Sequence, residues 1–223
     1  MRELADTLLG NESITSLNLF GNKMGVISAA VMQPLANALA RHRYLTTLNL
    51  RKNELCQLTE GAARCLGEAI GENSTLTKLN LRQNGLGKLS ADAMRALAEF
   101  DASSNRLTGP LPPALVSLPN LRLLDLSNNE LNGTLSGDNW ADATRLERLN
   151  LRGNRLRGSI PPELGVLRGL THLDLSGNEL DGPVPVALVT ASSLEHMDIS
   201  GNSLDWSTVG RQGPRRGASD GEL

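Results

Sequence analysis

One eleven-position pattern, LxxLxLxxNxL, recurs eight times along the 223 residues of this chain and restricts it to a repetitive architecture. The central x-L-x-L-x part of each copy alternates outward and inward positions, so it predicts a short strand with its leucines on one face. One such strand cannot bury its own leucines. We therefore expect the copies to stack as parallel strands around a shared leucine core.

Each copy carries an asparagine at its ninth position, in the frame LxxLxLxxNxL. The eight are Asn22, Asn53, Asn84, Asn105, Asn129, Asn154, Asn178 and Asn202. A side-chain amide has two N–H donors and one oxygen acceptor, so it can satisfy backbone groups that are buried where the chain turns inward. We predict a structural role for all eight.

The segments between the strands are of two kinds. Helix-forming segments follow the early strands, as in VISAAVMQPLANALARH and QLTEGAARCLGEAIGEN, whereas the later strands are followed by LTGPLPPAL, LRGSIPPEL and LDGPVPVAL. The copy LNGTLSGD keeps the glycine but lacks the proline. With these motifs, the chain resembles the leucine-rich-repeat superfamily over roughly residues 4–205. Its first half is similar to the ribonuclease-inhibitor type, and its second half to the plant type with the LxGxIP motif.

This resemblance implies an α/β fold, a leucine-rich-repeat solenoid or horseshoe with a parallel β-sheet on its concave face. Helices are expected outside in the first half, and extended or 3₁₀ segments outside in the second. We assign residues 1–96 to ribonuclease-inhibitor-like repeats, of which the first is incomplete. Residues 97–208 are assigned to plant-type repeats that continue the same solenoid. Residues 209–223 are rich in Gly, Arg and Ser without periodicity and predict a disordered tail.

Composition excludes several classes of function. A net charge of -2 gives no general attraction to nucleic acid or to anionic lipid, and no apolar run is long enough to span a membrane. The N-terminus lacks the apolar run of a signal peptide. We therefore expect a cytoplasmic protein, or an extracellular one if a longer natural chain carries a signal peptide. The sequons at Asn11, Asn73 and Asn132 carry little weight without such a signal. We expect a monomer or part of a longer chain.

Candidate binding residues occupy outward strand positions. The basic candidates form two predicted groups, the first of Arg51, Lys52, Lys78 and Arg82 and the second of Arg148 and Arg152. The other two candidates, His172 and His196, stand beside Asp174 and Asp198. Arginines in such a group can hold an acidic partner through bidentate hydrogen bonds. The alternative is that the outward Asp and Ser positions only reflect the template of the repeat.

No catalytic, cofactor or metal site is predicted. The two cysteines, Cys56 and Cys65, are too few for a four-ligand zinc site or a disulfide framework and are expected as free thiols. His172 and His196 would be neighbours, but the remaining histidine, His42, is expected on a helix, and no activated nucleophile stands beside the pair. A phosphate-binding glycine loop is absent.

The fold therefore implies a non-enzymatic protein–protein interaction module that binds a protein or peptide on its concave or lateral face. An alternative is the ligand-recognition domain of a larger receptor or signalling protein. A second alternative is a regulator of a GTPase similar to Ran GTPase-activating proteins, which share helix-backed repeats.

Overall fold

The computed structural model describes residues 1–87, 96–135 and 137–209. The chain divides into two compact units, Met1–Arg106 and Leu107–Leu223. Two sequence-based expectations fall outside the described residues. They are the helical segment expected after the third strand, at 88–95, and the disordered tail, of which only Val209 is described.

The first unit alternates helices and three-residue strands. Its elements are α1 (Arg2–Leu9), β1 (Ser16–Asn18), α2 (Ala29–Arg41), β2 (Thr47–Asn49), α3 (Glu60–Glu72), β3 (Lys78–Asn80) and β4 (Glu99–Asp101). The strands pair in parallel in chain order, and the register aligns Leu17, Leu48, Leu79 and Phe100. The apolar period thus fixes which residue of each strand faces the core.

A polar residue lies within two residues of the end of each described helix of the first unit, where the chain turns toward the next strand. The backbone N–H of Ile14 donates to Asn11 Oδ1 at 2.7 Å, and that of Leu76 donates to Asn73 Oδ1 at 2.7 Å. His42 takes the same place in the middle repeat, where its Nδ1 accepts the N–H of Leu45 at 3.1 Å. These acceptors satisfy donors that would otherwise be buried without a partner.

The second unit contains short β-strands and short helical segments. Its elements are β5 (Thr108–Gly109), α4 (Pro113–Val116), β6 (Leu123–Asp125), β7 (Glu130–Thr134), β8 (Arg148–Asn150), β9 (Arg155–Gly158), β10 (His172–Asp174), β11 (Glu179–Pro183), α5 (Val186–Val189), β12 (His196–Asp198) and β13 (Ser203–Asp205). Strands β6, β8, β10 and β12 pair in parallel. 3₁₀ turns at Gly137–Asp142 and Pro162–Val166 agree with the sequence prediction for this half, whereas α4 and α5 are single α-helical turns, which were not predicted.

A second parallel sheet, in the order β5-β7-β9-β11-β13, was not expected from the sequence. It forms from the segments that follow the last five asparagines, Asn105, Asn129, Asn154, Asn178 and Asn202. Stacked repeats hold successive extended segments at roughly the 4.8 Å spacing of paired strands, so their backbone groups meet. Ion pairs link neighbouring strands of this sheet, with Arg155 2.9 Å from Glu130 and Arg157 2.7 Å from Glu179.

The asparagines satisfy buried backbone groups, as predicted, and they also link successive repeats, which was not predicted. Asn53 is fully buried, and its Nδ2 donates to the carbonyl oxygens of Leu50 at 2.9 Å and Leu19 at 2.8 Å. Its Oδ1 accepts the backbone N–H of Asn22 at 2.8 Å. The same arrangement recurs in both units, at Asn84, Asn105, Asn154, Asn178 and Asn202.

Candidate functional site

The outward face of strands β6, β8, β10 and β12 carries a groove of about 420 Å³ in the second unit. Each of these strands has two outward positions, and all but one of the eight carry a polar side chain that lines the groove. The polar residues are Asp125, Arg148, Asn150, His172, Asp174, His196 and Asp198. Strand register aligns Arg148, His172 and His196 in one row across the sheet. A second row, two residues further along each strand, is acidic apart from Asn150.

His172 lies at the centre of the first row and is half-buried. Partial burial lowers the pKa of its imidazole, and the positive charges of Arg148 and His196 lower it further, while Glu195 acts in the opposite direction. Its ring centroid is 4.5 Å from that of His196. The pair expected from the sequence therefore exists.

The acidic row is held in place by the turn that follows each strand. Asp174 Oδ1 accepts the N–H of Ser176 at 2.9 Å and its hydroxyl at 2.6 Å. Asp198 makes the same two contacts with Ser200, at 3.0 and 2.7 Å. These contacts give the Asp and Ser positions a structural role in the repeat template. They also fix the carboxylates as ordered negative charges on the groove wall.

The two arginines that were expected to form a second basic group do not both line the groove. Arg148 lines it, whereas Arg152, although exposed, is not among the lining residues. The backbone N–H of Arg152 donates to Asn150 Oδ1 at 3.1 Å, in the turn after β8. The role of Arg152 in binding stays a prediction.

In the first unit, two members of the basic group expected from the sequence, Lys78 and Arg51, contact other side chains of the chain. Lys78 Nζ lies 2.7 Å from a carboxylate oxygen of Glu99, both partly exposed. Arg51 Nε donates to Gln83 Oε1 at 3.1 Å, and its guanidinium carbon lies 5.6 Å from the ring centroid of Phe20.

The other two members of this group differ from each other. Lys52 is exposed, with a positive φ of 58°. Arg82 has a buried Nε without a hydrogen-bond partner among the described residues. A common acidic ligand for Arg51, Lys52, Lys78 and Arg82 therefore stays a prediction.

Two features of the second unit were missed by sequence reasoning. Glu195, just before β12, comes close to both histidines. Trp140 is 1% exposed and supplies core volume in the copy that lacks the proline. A regular strand would place Glu195 on the opposite face from His196, so the alternating pattern gave no signal for it.

Family models described as leucine rich repeat match residues 74–131, 95–156 and 144–204, and a further one matches residues 10–29. The overlapping matches cover residues 74–204, more than half of the chain. The chain belongs to the leucine-rich-repeat family. Its α/β solenoid fold follows from this membership and from the parallel strands, while the division into two repeat types stays a prediction.

Relatives of this leucine-rich-repeat chain include plant receptors. Receptor-like protein 6 of Arabidopsis thaliana is 45% identical over 62 residues, which are 28% of this chain and 6% of that protein. The ectodomain of the Arabidopsis thaliana receptor kinase GASSHO1/SCHENGEN3, in complex with CASPARIAN STRIP INTEGRITY FACTOR 2, matches with a TM-score of 0.70 and 27% identity. That match covers 91% of this chain and 23% of the ectodomain.

The plant peptide hormone receptor RGFR1 in complex with RGF2 matches with a TM-score of 0.59 and 31% identity, over 75% of this chain and 26% of the receptor. The leucine-rich-repeat chain thus spans less than a third of the length of each of these relatives. The comparisons give no support to the cytoplasmic location expected from the sequence. Within the described residues, every helix is too short or too polar to cross a membrane.

Proposed function

We propose that this leucine-rich-repeat chain is a non-enzymatic recognition module that binds a protein or peptide on the outward face of strands β6, β8, β10 and β12. The groove carries the proposal, because it sets a row of Arg148, His172 and His196 beside a largely acidic row. Rows of opposite character favour a ligand of complementary charge pattern, which gives specificity and faster association.

An extended segment suits this surface better than a compact small molecule. Three of the four strands present two outward polar side chains to the groove, β6 presents Asp125 beside Leu123, and the strands repeat at roughly 4.8 Å. A peptide that crosses the strands would meet a new pair at every repeat. The complex of the plant peptide hormone receptor RGFR1 with RGF2, a structural relative, supports a peptide as the ligand class.

A peptide library displayed on phage and selected against the full chain tests the proposal. The groove variant combines Arg148→Gln with Asp174→Asn and Asp198→Asn, since asparagine already fills this turn position at Asn150 and accepts the same backbone N–H. We expect selected peptides to bind this variant at least about tenfold more weakly, because a few central residues, among which arginine is frequent, carry most of the affinity of an interface. Affinity is measured by calorimetry.

The matched control is Arg157→Gln, which removes an exposed cation from the second sheet. Its affinity should equal that of the wild type. A quadruple alanine variant at Arg51, Lys52, Lys78 and Arg82 tests the basic group of the first unit in the same assay. Loss of binding in that variant together with unchanged binding in the groove variant would contradict the proposed face.

We also propose that the chain acts outside the cell, which its likeness to receptor ectodomains supports. In that setting the three sequons become informative. Asn132 is exposed on β7, whereas Asn73 is 4% exposed and its Nδ2, the atom that would carry a glycan, donates to Leu39 O at 2.6 Å and His42 O at 3.1 Å.

After secretion from a eukaryotic cell behind an added signal peptide, we expect the folded chain to carry a glycan at Asn132 and none at Asn73. Mass spectrometry of peptides, before and after enzymatic removal of glycans, measures occupancy at both sites. The Asn132→Gln variant should lose the corresponding mass. An occupied Asn73 in folded protein would contradict the buried, hydrogen-bonded position of its amide.

A further inference from the structure

Three potential metal ligands meet at the β12 edge of the sheet in the second unit. They are His172 on β10, Glu195 just before β12, and His196, the first residue of β12. One donor atom from each residue lies within 4.8 Å of the other two. Glu195 and His196 are exposed and His172 is half-buried, so an ion can reach all three from solvent.

Glu195 is held at the entry to β12 by a hydrogen-bond pattern that recurs in this sheet. The backbone N–H groups of Glu195 and His196 both donate to the carbonyl oxygen of Thr171, at 2.9 and 3.0 Å. The same sharing of one carbonyl oxygen by two consecutive N–H groups occurs where β8 and β10 begin. The repeat therefore fixes the backbone of Glu195 beside His172 and His196, and its carboxylate comes within 4.8 Å of a nitrogen of each histidine.

A hydrogen bond favours one tautomer of His172. The hydroxyl of Thr171 lies 3.0 Å from the carbonyl oxygen of Glu147, to which it donates, and 2.9 Å from His172 Nδ1. A hydroxyl has one proton, so with that proton on Glu147 it accepts from Nδ1–H. Nε2 then keeps the lone pair that a metal needs. Histidines that bind metals commonly have their other ring nitrogen held in this way.

We propose that His172, Glu195 and His196 bind a divalent transition-metal ion of the Zn²⁺ type. Imidazole nitrogen and carboxylate oxygen are both ordinary zinc ligands, and a set of two histidines and one carboxylate leaves one position of a tetrahedron open. Donor atoms around a tetrahedral zinc ion are about 3.4 Å apart, given bond lengths of roughly 2.0–2.2 Å. Rotation of the exposed side chains of Glu195 and His196 brings the donor atoms from within 4.8 Å to this distance.

Charged side chains near the three ligands have opposite effects on metal affinity. Arg148 stands beside His172 in register and repels a dication, whereas Glu195 and the nearby carboxylates of Asp174 and Asp198 attract one. Removal of the arginine charge by Arg148→Gln should therefore tighten metal binding severalfold. If the two histidines had only a structural role, Arg148→Gln would not tighten metal binding.

Calorimetric titration of the metal-free full chain with zinc sulfate at neutral pH tests the site. We expect one ion per chain, at least tenfold weaker binding in Glu195→Gln, and no measurable binding in the double variant His172→Asn and His196→Asn. Glu68→Gln, which removes an exposed glutamate from α3, is the matched control and should bind as the wild type does. Circular dichroism verifies that each variant is folded.

Cobalt(II) as a spectroscopic substitute separates this site from the free thiols of Cys56 and Cys65. Nitrogen and oxygen ligands give visible d–d bands without a sulfur-to-metal charge-transfer band. The proposal is overturned by a charge-transfer band, by absence of saturable zinc binding in the wild type, or by equal zinc affinity in the wild type and the double histidine variant. None of these outcomes depends on whether the groove binds a peptide.

Discussion

Replacement of Asn53 by alanine is expected to lower the free energy of unfolding of the leucine-rich-repeat chain by roughly 3–5 kcal/mol. The side chain is fully buried and donates to the carbonyl oxygens of Leu19 and Leu50, while its own oxygen accepts the N–H of Asn22. Alanine removes one donor from each carbonyl oxygen, which keep the amides of Asn22 and Asn84, and it leaves the N–H of Asn22 without this acceptor. Each lost hydrogen bond costs about 0.5–1.5 kcal/mol, and the unsatisfied N–H costs about 1–3 kcal/mol. Urea denaturation followed by circular dichroism measures the change.

Asn37→Ala is the matched control, since Asn37 is exposed on α2 and its Oδ1 only accepts from Gln33 Nε2 at 2.9 Å. We expect this change to stay within about 0.5 kcal/mol of the wild type. Asn53→Asp keeps the acceptor but removes both donors and buries a charge, so it should destabilise at least as much as alanine. Equal unfolding midpoints for Asn53→Ala and Asn37→Ala would contradict the role assigned to the asparagines.

The repeat pattern predicted the strands and their register because burial decides both. A shift of one residue would expose the leucine at positions such as Leu48 and bury the polar neighbours on either side. The second sheet could not be read in this way. It depends on how closely successive repeats stack, and glycine interrupts the apolar alternation of the residues that form it, as at Gly133 and Gly158. The residue pattern within one repeat does not determine the distance between successive repeats.

The candidate groove was predicted in part. Its rows follow from strand register, so His172 and His196 were correctly expected as neighbours, whereas Arg148 had been grouped with Arg152 rather than with the histidines. The ion pair of Lys78 with Glu99 also follows from register, because the two stand opposite each other on β3 and β4. Glu195 could not be predicted, since it lies just before β12 and the apolar alternation of a strand does not give the direction of a side chain outside it.

The Trp140→Ala variant should lose roughly 3–5 kcal/mol of stability, the usual cost of removing a buried aromatic side chain. Trp140 lies in the 3₁₀ segment Gly137–Asp142, which contacts the turns α4 and Pro162–Val166 on either side. Its indole is 1% exposed, and its Nε1 has no hydrogen-bond partner among the described residues. The cost therefore comes from lost apolar contacts and a cavity. Trp140→Phe keeps much of that volume and should cost only about 1–2 kcal/mol.

Trp206 offers an internal comparison, because it is the other tryptophan of the chain and is 45% exposed. Trp206→Ala should cost less than about 1 kcal/mol, as expected for a partly exposed side chain at the end of the repeats. In the Trp206→Phe variant, Trp140 is the remaining tryptophan of the two in the sequence. Its fluorescence emission should be blue-shifted in the native state and should shift to the red on unfolding. Solvent-exposed emission from native Trp140, or a small loss of stability in Trp140→Ala, would contradict the packing of this repeat. That repeat lacks the proline of its neighbours, so a large effect here would show that buried aromatic volume can stabilise a repeat without that proline.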